Sequence, residues 1–349
     1  MVTDPVAARS ILDCRAAGVA GLPRPVRRAA IGPGVAPLTP QDPVRQSNEA
    51  SARCAACGSQ ALFPHLRVAG DPGREALIPT SKRFGTALAD IVRCQACGHM
   101  QLAEIPQQAT LVNRYADAES ADYLAEKAGQ RATSRTTLDA LDRHVGVGAL
   151  LDVGCWVGFM LDEARLRGWR TVGLEPSTFA SAYARDSLGL DVQTADLFGA
   201  ELPAGSFDAV LLADVLEHLP DPGEALDAIA GLTVPGGVLL LALPDAGSQV
   251  ARVMGGRWWS VIPTHVHYFT RRSLSTLLTR RRWEVLEIGT APKAFTVRYY
   301  LDRVGGYSER LSRALVNLAG AAGVADRIWA PDFRDRMRVV ARAPGPSTG

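Results

Sequence analysis

Residues 150–161, Leu-Leu-Asp-Val-Gly-Cys-Trp-Val-Gly-Phe-Met-Leu, decide the fold of this chain. The apolar residues that begin this stretch are typical of a buried strand. Gly154 and Gly158 then bracket a tight turn, and Phe159 begins a helical pattern. Such a turn between a strand and a helix brings backbone N–H groups close to a ligand. The dinucleotide fingerprint Gly-x-Gly-x-x-Gly is absent, because Trp156 occupies the position of its second glycine.

A second strand is predicted over residues 169–175, Trp-Arg-Thr-Val-Gly-Leu-Glu. It ends in an acid, Glu175, about 20 residues after the glycine turn, where a carboxylate can accept hydrogen bonds from both hydroxyls of a ribose. The next two predicted strands are followed by acids as well, Asp196 and Asp214. Ligands of open α/β sheets bind beyond the carboxyl ends of the strands, so we expect these acids to meet in one pocket.

Apolar strands that alternate with helical segments predict an α/β fold with a doubly wound sheet of parallel strands. The remaining strands are predicted at residues 190–194, 207–212, 238–243, 284–288 and 338–341. Pro235-Gly236-Gly237 is predicted to be a turn that leads into the strand at 238. Residues 293–335 are predicted to form a helical insertion before the last strand.

These stretches together resemble motifs I and II of the class I S-adenosylmethionine-dependent methyltransferases. The phrase Gly168-Trp169, followed by Gly173-Leu174-Glu175-Pro176-Ser177, is particularly typical of that family. The resemblance covers about residues 120–343 and implies a Rossmann-like methyltransferase sheet that binds S-adenosyl-L-methionine. The cofactor-binding residues that it implies are Asp152, Gly154, Cys155, Gly158, Glu175, Asp196, Leu197 and Asp214.

Two Cys-x-x-Cys-Gly segments, Cys54–Gly58 and Cys94–Gly98, precede this region. Each segment can direct two thiolates at one cation, so the pair offers four soft ligands for a tetrahedral structural zinc ion: Cys54, Cys57, Cys94 and Cys97. Disulfides and unrelated free thiols are the alternatives, and a reducing cytoplasm disfavours disulfides. His99 follows the second segment and is expected to be a bystander rather than a further ligand.

Two histidines are expected to be catalytic. His218 follows the fourth strand of the predicted sheet, and His265 lies in the His-rich segment Pro263–Thr270. The order of the parts resembles the layout of the zinc-containing sugar C-methyltransferases. In both, two cysteine segments come first, followed by the cofactor-binding domain and then a His-rich segment. His265 matches the second histidine of their segment, which reads roughly Tyr-His-Glu-His-Leu-x-Tyr-Phe-Ser, while Thr264 stands where that family has its catalytic glutamate. The alternative for either histidine is a structural role.

Composition excludes other classes of function. The formal net charge is +2, and the arginines at 271–272 and 280–282 lie at helical spacing beside apolar residues, which predicts a solvated helix face and no nucleic-acid partner. The longest apolar run, Val238–Leu243, is far shorter than the ~20 residues of a membrane span, so no membrane partner is expected. The chain shows no charged-then-apolar leader, which indicates a cytoplasmic protein.

The sequence therefore predicts five regions. These are a disordered tail at 1–50, a zinc-binding module at 51–103, a helical linker or lid at 104–148, the methyltransferase domain at 149–343, and a disordered tail at 344–349. The leading hypothesis is methyl transfer from S-adenosyl-L-methionine to carbon or oxygen of a small-molecule acceptor, such as a sugar, a nucleotide-linked sugar or a secondary metabolite. The alternative is a non-catalytic cofactor-binding scaffold whose zinc module docks a protein partner. The oligomeric state is not indicated.

Overall fold

The computed structural model describes residues 53–70, 84–107 and 124–345. The predicted tail at 1–50 lies outside the described residues, as do residues 108–123 of the predicted linker and the last four residues. Among the described residues, no helix combines the length and the apolar character needed to cross a bilayer.

The elements follow one another in a mainly alternating order. The strands are β1 (Leu62–Leu66), β2 (Ile91–Cys94), β3 (Met100–Leu102), β4 (Ala149–Val153), β5 (Arg170–Leu174), β6 (Val192–Gln193), β7 (Phe207–Ala213), β8 (Thr233–Pro244), β9 (His267–Tyr268), β10 (Glu284–Thr290), β11 (Phe295–Thr296), β12 (Ile328–Trp329) and β13 (Arg336–Arg342). The helices are α1 (Lys127–Leu141), α2 (Phe159–Leu166), α3 (Thr178–Leu188), α4 (Pro222–Leu232), α5 (Gln249–Met254), α6 (Arg271–Arg280), α7 (Val297–Arg303) and α8 (Glu309–Ala321).

A seven-stranded sheet forms the centre of the molecule, in the order β10-β13-β8-β7-β4-β5-β6. Strands β4 to β8 within it are parallel, whereas β13 runs antiparallel between β8 and β10. The predicted doubly wound α/β fold is confirmed, with the correction that its last strand is antiparallel. The chain returns from β10 through the insertion to the neighbouring β13 in the opposite direction, and antiparallel neighbours need no helical crossover.

Successive side chains of β8 point to opposite faces of this sheet. Leu239 and Leu241 belong to the apolar layer that α4 and α6 cover, while Leu240 faces the layer covered by α1, α2 and α3. A strand buried on both faces must be apolar throughout, which explains its continuous run of hydrophobic residues. The predicted turn at Pro235–Gly237 is corrected, because these residues lie inside β8 as an irregularity in its pairing with β7.

Short polar signals fix where the helices on the sheet begin. The Ser177 hydroxyl accepts a hydrogen bond from the N–H of Ala180 at 3.2 Å and starts α3 immediately after Glu175. Asp221 caps α4 in the same way, with Pro222 at the first helical position. A capping side chain satisfies N–H groups that a helix cannot pair internally. These caps hold the helix starts at the edge of the sheet where the strands end.

A second, four-stranded sheet joins β1, β2, β3 and β9. The cysteine-bearing region supplies its first three strands, which are consecutive and antiparallel. The fourth strand, β9, comes from the His-rich segment, and its His267 pairs with Gln101 of β3. The region predicted as a separate zinc-binding module at 51–103 therefore shares a sheet with residues 267–268. Between β10 and β13, the predicted insertion contains α7, α8 and a ribbon of β11 and β12.

Candidate functional site

One cavity of about 690 Å³ opens at the carboxyl ends of the central strands. Both His218 and His265 line this cavity, as do these residues of the predicted cofactor set: Asp152, Gly154, Cys155, Glu175, Asp196, Leu197 and Asp214. Gly158 of that set is not among the lining residues. A Cβ at Gly158 would lie 2.6 Å from the Leu190 side chain, so this glycine allows close packing beneath the turn.

Two residues of the glycine turn adopt left-handed backbone conformations. Gly154 has a φ of +72°, and a Cβ there would lie 2.6 Å from the Val215 side chain. Trp156 has a φ of +50°, a conformation that costs a residue other than glycine about 1–3 kcal/mol. Its N–H donates to the Glu175 carboxylate at 2.8 Å, and this bond holds the strained turn against the next strand.

Glu175 joins the turn to the start of α3. Its other carboxylate oxygen accepts from the N–H of Ser177 at 2.8 Å. Burial raises the pKa of Glu175 to about 7, although both hydrogen bonds act in the opposite direction. Burial, together with the neighbouring Glu175, also raises the pKa of Asp152 to about 8. The cavity wall therefore contains two buried carboxyl groups whose negative charge a cationic ligand would stabilise.

Asp214 also has a left-handed backbone, with a φ of +59°, and its carboxylate forms ion pairs with Lys293 and Arg336. Burial alone would raise the pKa of Asp214, but the two cations outweigh burial and hold it well below its ordinary value. No sequence pattern indicated either cation, because both lie far along the chain from Asp214 and reach it only through the fold.

The two predicted catalytic histidines pack against each other, with ring centroids 4.7 Å apart. Nδ1 of His218 lies 2.7 Å from the Thr264 carbonyl, and Nδ1 of His265 lies 2.8 Å from the Ser260 carbonyl. A carbonyl oxygen can only accept, so Nδ1 carries the proton in each ring and Nε2 has the lone pair. Burial lowers the pKa of His218 to about 4 and that of His265 well below its ordinary value, so both rings are neutral at pH 7.

Glu217 is a site residue that was not predicted from the sequence. It is 1% exposed, and neither carboxylate oxygen has a hydrogen-bond partner among the described residues. One of these oxygens lies 3.9 Å from Nε2 of His265. Burial and the nearby Asp214 raise the pKa of Glu217 to about 8. Its position directly before His218 was the only sequence signal, and the turn Leu216–His218 is what directs it inward.

Aromatic side chains cover another part of the cavity. They come from the insertion and from the segment before β9: Trp259, Phe295, Tyr299, Tyr300, Trp329 and Phe333. Phe295 stacks on Tyr299 at 4.1 Å, and Tyr300 meets Trp329 edge-on at 5.5 Å. Rings that pack in this way provide a rigid apolar surface for a ligand. The aromatic residues of the insertion were visible in the sequence, but their place in the cavity was not.

The four predicted zinc ligands, Cys54, Cys57, Cys94 and Cys97, form one group whose sulfur atoms all lie within 4.8 Å of one another. Two of the Sγ–Sγ distances are 3.6 Å, which excludes disulfides and is close to the ~3.8 Å that a tetrahedral zinc ion with ~2.3 Å bonds would impose. The group is thus compatible with a zinc module. His99 lies outside the group and instead contacts His267, with 3.2 Å between Nε2 and Nδ1.

Residues 124–288 match the methyltransferase domain family. The chain is similar to the ubiquinone biosynthesis O-methyltransferase of Chromobacterium violaceum, with 31% identity over 147 residues that cover 38% of this chain and 62% of that protein. The protein of the same name from Caulobacter vibrioides is 37% identical over 122 residues, which cover 32% of this chain and 48% of that protein. The chain therefore covers less than two thirds of the length of either relative. A solved S-adenosylmethionine-dependent methyltransferase from Mesorhizobium loti is 19% identical, with a TM-score of 0.41 over 60% of this chain and 97% of that chain.

Asp152 should make the stability of the ligand-free protein fall as the pH rises. Its carboxyl group binds a proton more tightly in the folded chain, up to a pKa of about 8, than in the unfolded chain, where the pKa is ~3.9. Stability is therefore lost between those two values, because the unfolded chain gains free energy by releasing the proton while the folded chain keeps it. The free energy of unfolding of Asp152→Asn should rise relative to that of the wild type by more than ~1 kcal/mol as the pH increases from 5 to 8.

Urea unfolding at several pH values measures this difference. Asp191→Asn, a change at an exposed carboxylate, is the matched control and should follow the wild type. A difference between Asp152→Asn and wild type that does not change with pH would show that Asp152 is ionised at no cost in the folded protein.

Proposed function

We propose that this chain, whose residues 124–288 form a methyltransferase domain of the class I S-adenosylmethionine-dependent type, methylates a hydroxyl oxygen of an apolar small molecule. The observation that carries the proposal is a single cavity that combines three features. These are buried carboxyl groups at the glycine turn, two neutral histidines, and a wall of aromatic rings.

The glycine turn and the acids after the strands suit S-adenosyl-L-methionine. Each oxygen of Glu175 accepts one backbone hydrogen bond and has a second lone pair that can accept from a ribose hydroxyl. Asp196 and Leu197 follow β6, where an adenine ring would lie in the resemblance. The cofactor supplies an electrophilic sulfonium methyl group when bound. Its positive charges would stabilise the ionised forms of Asp152 and Glu175.

The histidines suit an acceptor whose proton must leave around methyl transfer. We assign this step to His265, supported by His218, because each ring has its Nε2 lone pair fixed by a hydrogen bond at Nδ1. An oxygen acceptor is favoured over carbon for two reasons. The curated relatives are named O-methyltransferases, and Thr264 replaces the glutamate of the sugar C-methyltransferases. The aromatic wall favours an acceptor with an apolar or aromatic ring.

The four cysteines are proposed to hold one structural zinc ion. Gly58 and Gly98 have φ values of +75° and +78°, and their N–H groups donate to the carbonyls of Cys54 and Cys94. The two segments therefore have the same backbone geometry and direct their thiolates at one point. With all four positions filled by protein sulfur, such an ion has no open position for catalysis.

The cofactor site can be tested at Glu175. Glu175→Ala removes a carboxylate that would make charge-assisted hydrogen bonds to ribose, each worth ~1.5–3 kcal/mol, so the affinity for S-adenosylhomocysteine should fall at least ~10-fold. Calorimetry measures this affinity, and thermal unfolding shows whether loss of the bonds to Trp156 and Ser177 has unfolded the turn. Glu224→Ala, at an exposed position of α4, is the control. Unchanged affinity in a folded Glu175→Ala protein would place the adenosine elsewhere.

The zinc site can be tested by elemental analysis of protein purified without added metal. Wild type should contain one zinc ion per chain, whereas Cys54→Ser and Cys94→Ser should lose it, because a serine hydroxyl is a far poorer zinc ligand than a thiolate. Cys155→Ala alters a buried cysteine outside the group and should keep the zinc. A full zinc content in both serine variants would rule out the four-thiolate site.

The methyl transfer itself can be tested by an acceptor screen of phenols and apolar alcohols with labelled S-adenosyl-L-methionine. For any acceptor found, His265→Asn should lower turnover by about two orders of magnitude, as expected when a residue needed for proton removal is lost. Affinity for S-adenosylhomocysteine should stay within a factor of two or so. His144→Asn, which alters a histidine that contacts Glu287, is the matched control. Tight cofactor binding without labelling of any acceptor would support the scaffold alternative instead.

A further inference from the structure

We propose that Glu217, His218 and His265 bind one divalent metal ion in the wall of the cavity, and that the acceptor hydroxyl completes its coordination. This inference rests on the proposed function, and it replaces direct proton removal by His265 with proton loss from a hydroxyl group bound to the metal. The proposed site is separate from the four-cysteine group and uses different ligand chemistry.

The three side chains converge closely enough for a shared ion. One nitrogen or oxygen atom from each lies within 4.8 Å of the others, and Glu217 Oε1 is 3.9 Å from His265 Nε2. Metal bonds of ~2.0–2.2 Å would bring such atoms to roughly 3–3.5 Å from one another. Side-chain rotations that draw the three groups together by about an ångström would therefore complete the site.

The hydrogen bonds at Nδ1 orient both imidazoles for binding a metal. Metal-bound histidines usually donate their other ring N–H to a carbonyl or carboxylate, which fixes the tautomer and the ring plane. His218 donates to the Thr264 carbonyl and His265 to the Ser260 carbonyl. These carbonyls belong to one loop, so a single backbone segment orients both rings.

Glu217 supplies a second and independent observation. A buried carboxylate is costly unless it is paired or hydrogen-bonded, yet both oxygens of Glu217 lack a partner among the described residues. Lys293 and Arg336 lower the pKa of Glu217 from a distance, but both make their ion pairs with Asp214. A metal ion between Glu217 and the histidines would satisfy this carboxylate, which no group in the described parts of the chain does.

The charges around the site indicate which ligand would accompany the ion. Asp214 and Glu217 carry two negative charges when ionised, and Lys293 and Arg336 carry two positive ones. A divalent ion would leave an excess of two positive charges, which an anionic oxygen of the acceptor would halve. We therefore expect moderate affinity for the ion alone and tighter binding together with a deprotonated acceptor.

The donor set selects a class of metal. Two imidazoles and one carboxylate suit Fe²⁺, Co²⁺ and Zn²⁺, whereas Mg²⁺ and Ca²⁺ prefer sites made only of oxygen ligands. On such an ion the acceptor hydroxyl would lose its proton to solvent, since a bound metal lowers the pKa of a coordinated O–H group. The oxygen lone pair would then form the new O–C bond, and the electrons of the broken C–S bond would return to sulfur, leaving neutral S-adenosylhomocysteine. His265 would thus promote loss of the proton through the ion.

Equilibrium dialysis against Co²⁺ tests the site on the full-length protein already loaded with zinc. Elemental analysis should find one zinc and one cobalt ion per wild-type chain. Glu217→Gln and His265→Asn should keep the zinc and bind cobalt at least ~10-fold more weakly. Glu224→Gln and His144→Asn are matched changes away from the proposed ligands and should bind cobalt like the wild type. Thermal unfolding of Glu217→Gln and His265→Asn verifies that both variants are folded.

Equal cobalt binding by wild type and both ligand variants would overturn the metal site, as would the absence of bound cobalt in wild type. Methyl transfer that proceeds without bound cobalt, and that a chelator leaves unchanged, would also overturn it while the proposed function stands. Cobalt bound through these residues in a protein that labels no acceptor would support the metal site and refute the proposed function.

Discussion

The backbone of Val266 is hydrogen-bonded on both sides, and the position of the cavity histidines depends on these bonds. Its N–H donates to the Glu217 carbonyl at 2.9 Å, and its carbonyl accepts from the N–H of Leu102 at 3.0 Å. Val266 is fully buried, so breaking either bond would leave a polar group without a partner in the interior, at a cost of ~1–3 kcal/mol. His265 therefore cannot shift without disturbing both the loop after β7 and the N-terminal sheet. The backbone at His265 is therefore fixed from two directions, by the turn after β7 and by β3, while the side chains around it can still rotate.

Much of the central sheet and many of the cavity residues could be predicted because their signals are local. The glycine turn, the apolar strands and the acids that follow them lie next to one another in the chain, and parallel strands bring their carboxyl ends to one edge. Asp152, Glu175 and Asp196 therefore reach one cavity from sequence pattern alone. The cysteine segments are equally local, since each pair of thiolates is set by four residues of backbone.

The remaining features depend on contacts between distant parts of the chain. The ion pairs of Asp214 join residues separated by 79 and 122 positions, and no local pattern indicates them. The pairing of β9 with β3 involves a strand of only two residues, too short for any periodicity to appear. Glu217 was overlooked for a different reason. A glutamate beside a histidine is usually solvent-exposed, and only the fold shows that this one is buried, with no hydrogen-bond partner within residues 53–70, 84–107 and 124–345.

The shared sheet also imposes an order on folding. His99 and His267 make contact across 168 positions of sequence, so β3 is synthesised long before the strand that covers its edge. The first three strands of this sheet are joined by much shorter connections and can pair early, whereas its last strand must await synthesis of most of the central sheet. Until then, the edge of β3 presents unpaired backbone groups to any other extended chain. During synthesis, another extended segment can therefore pair wrongly with the edge of β3. This can no longer happen once β9 has paired with β3.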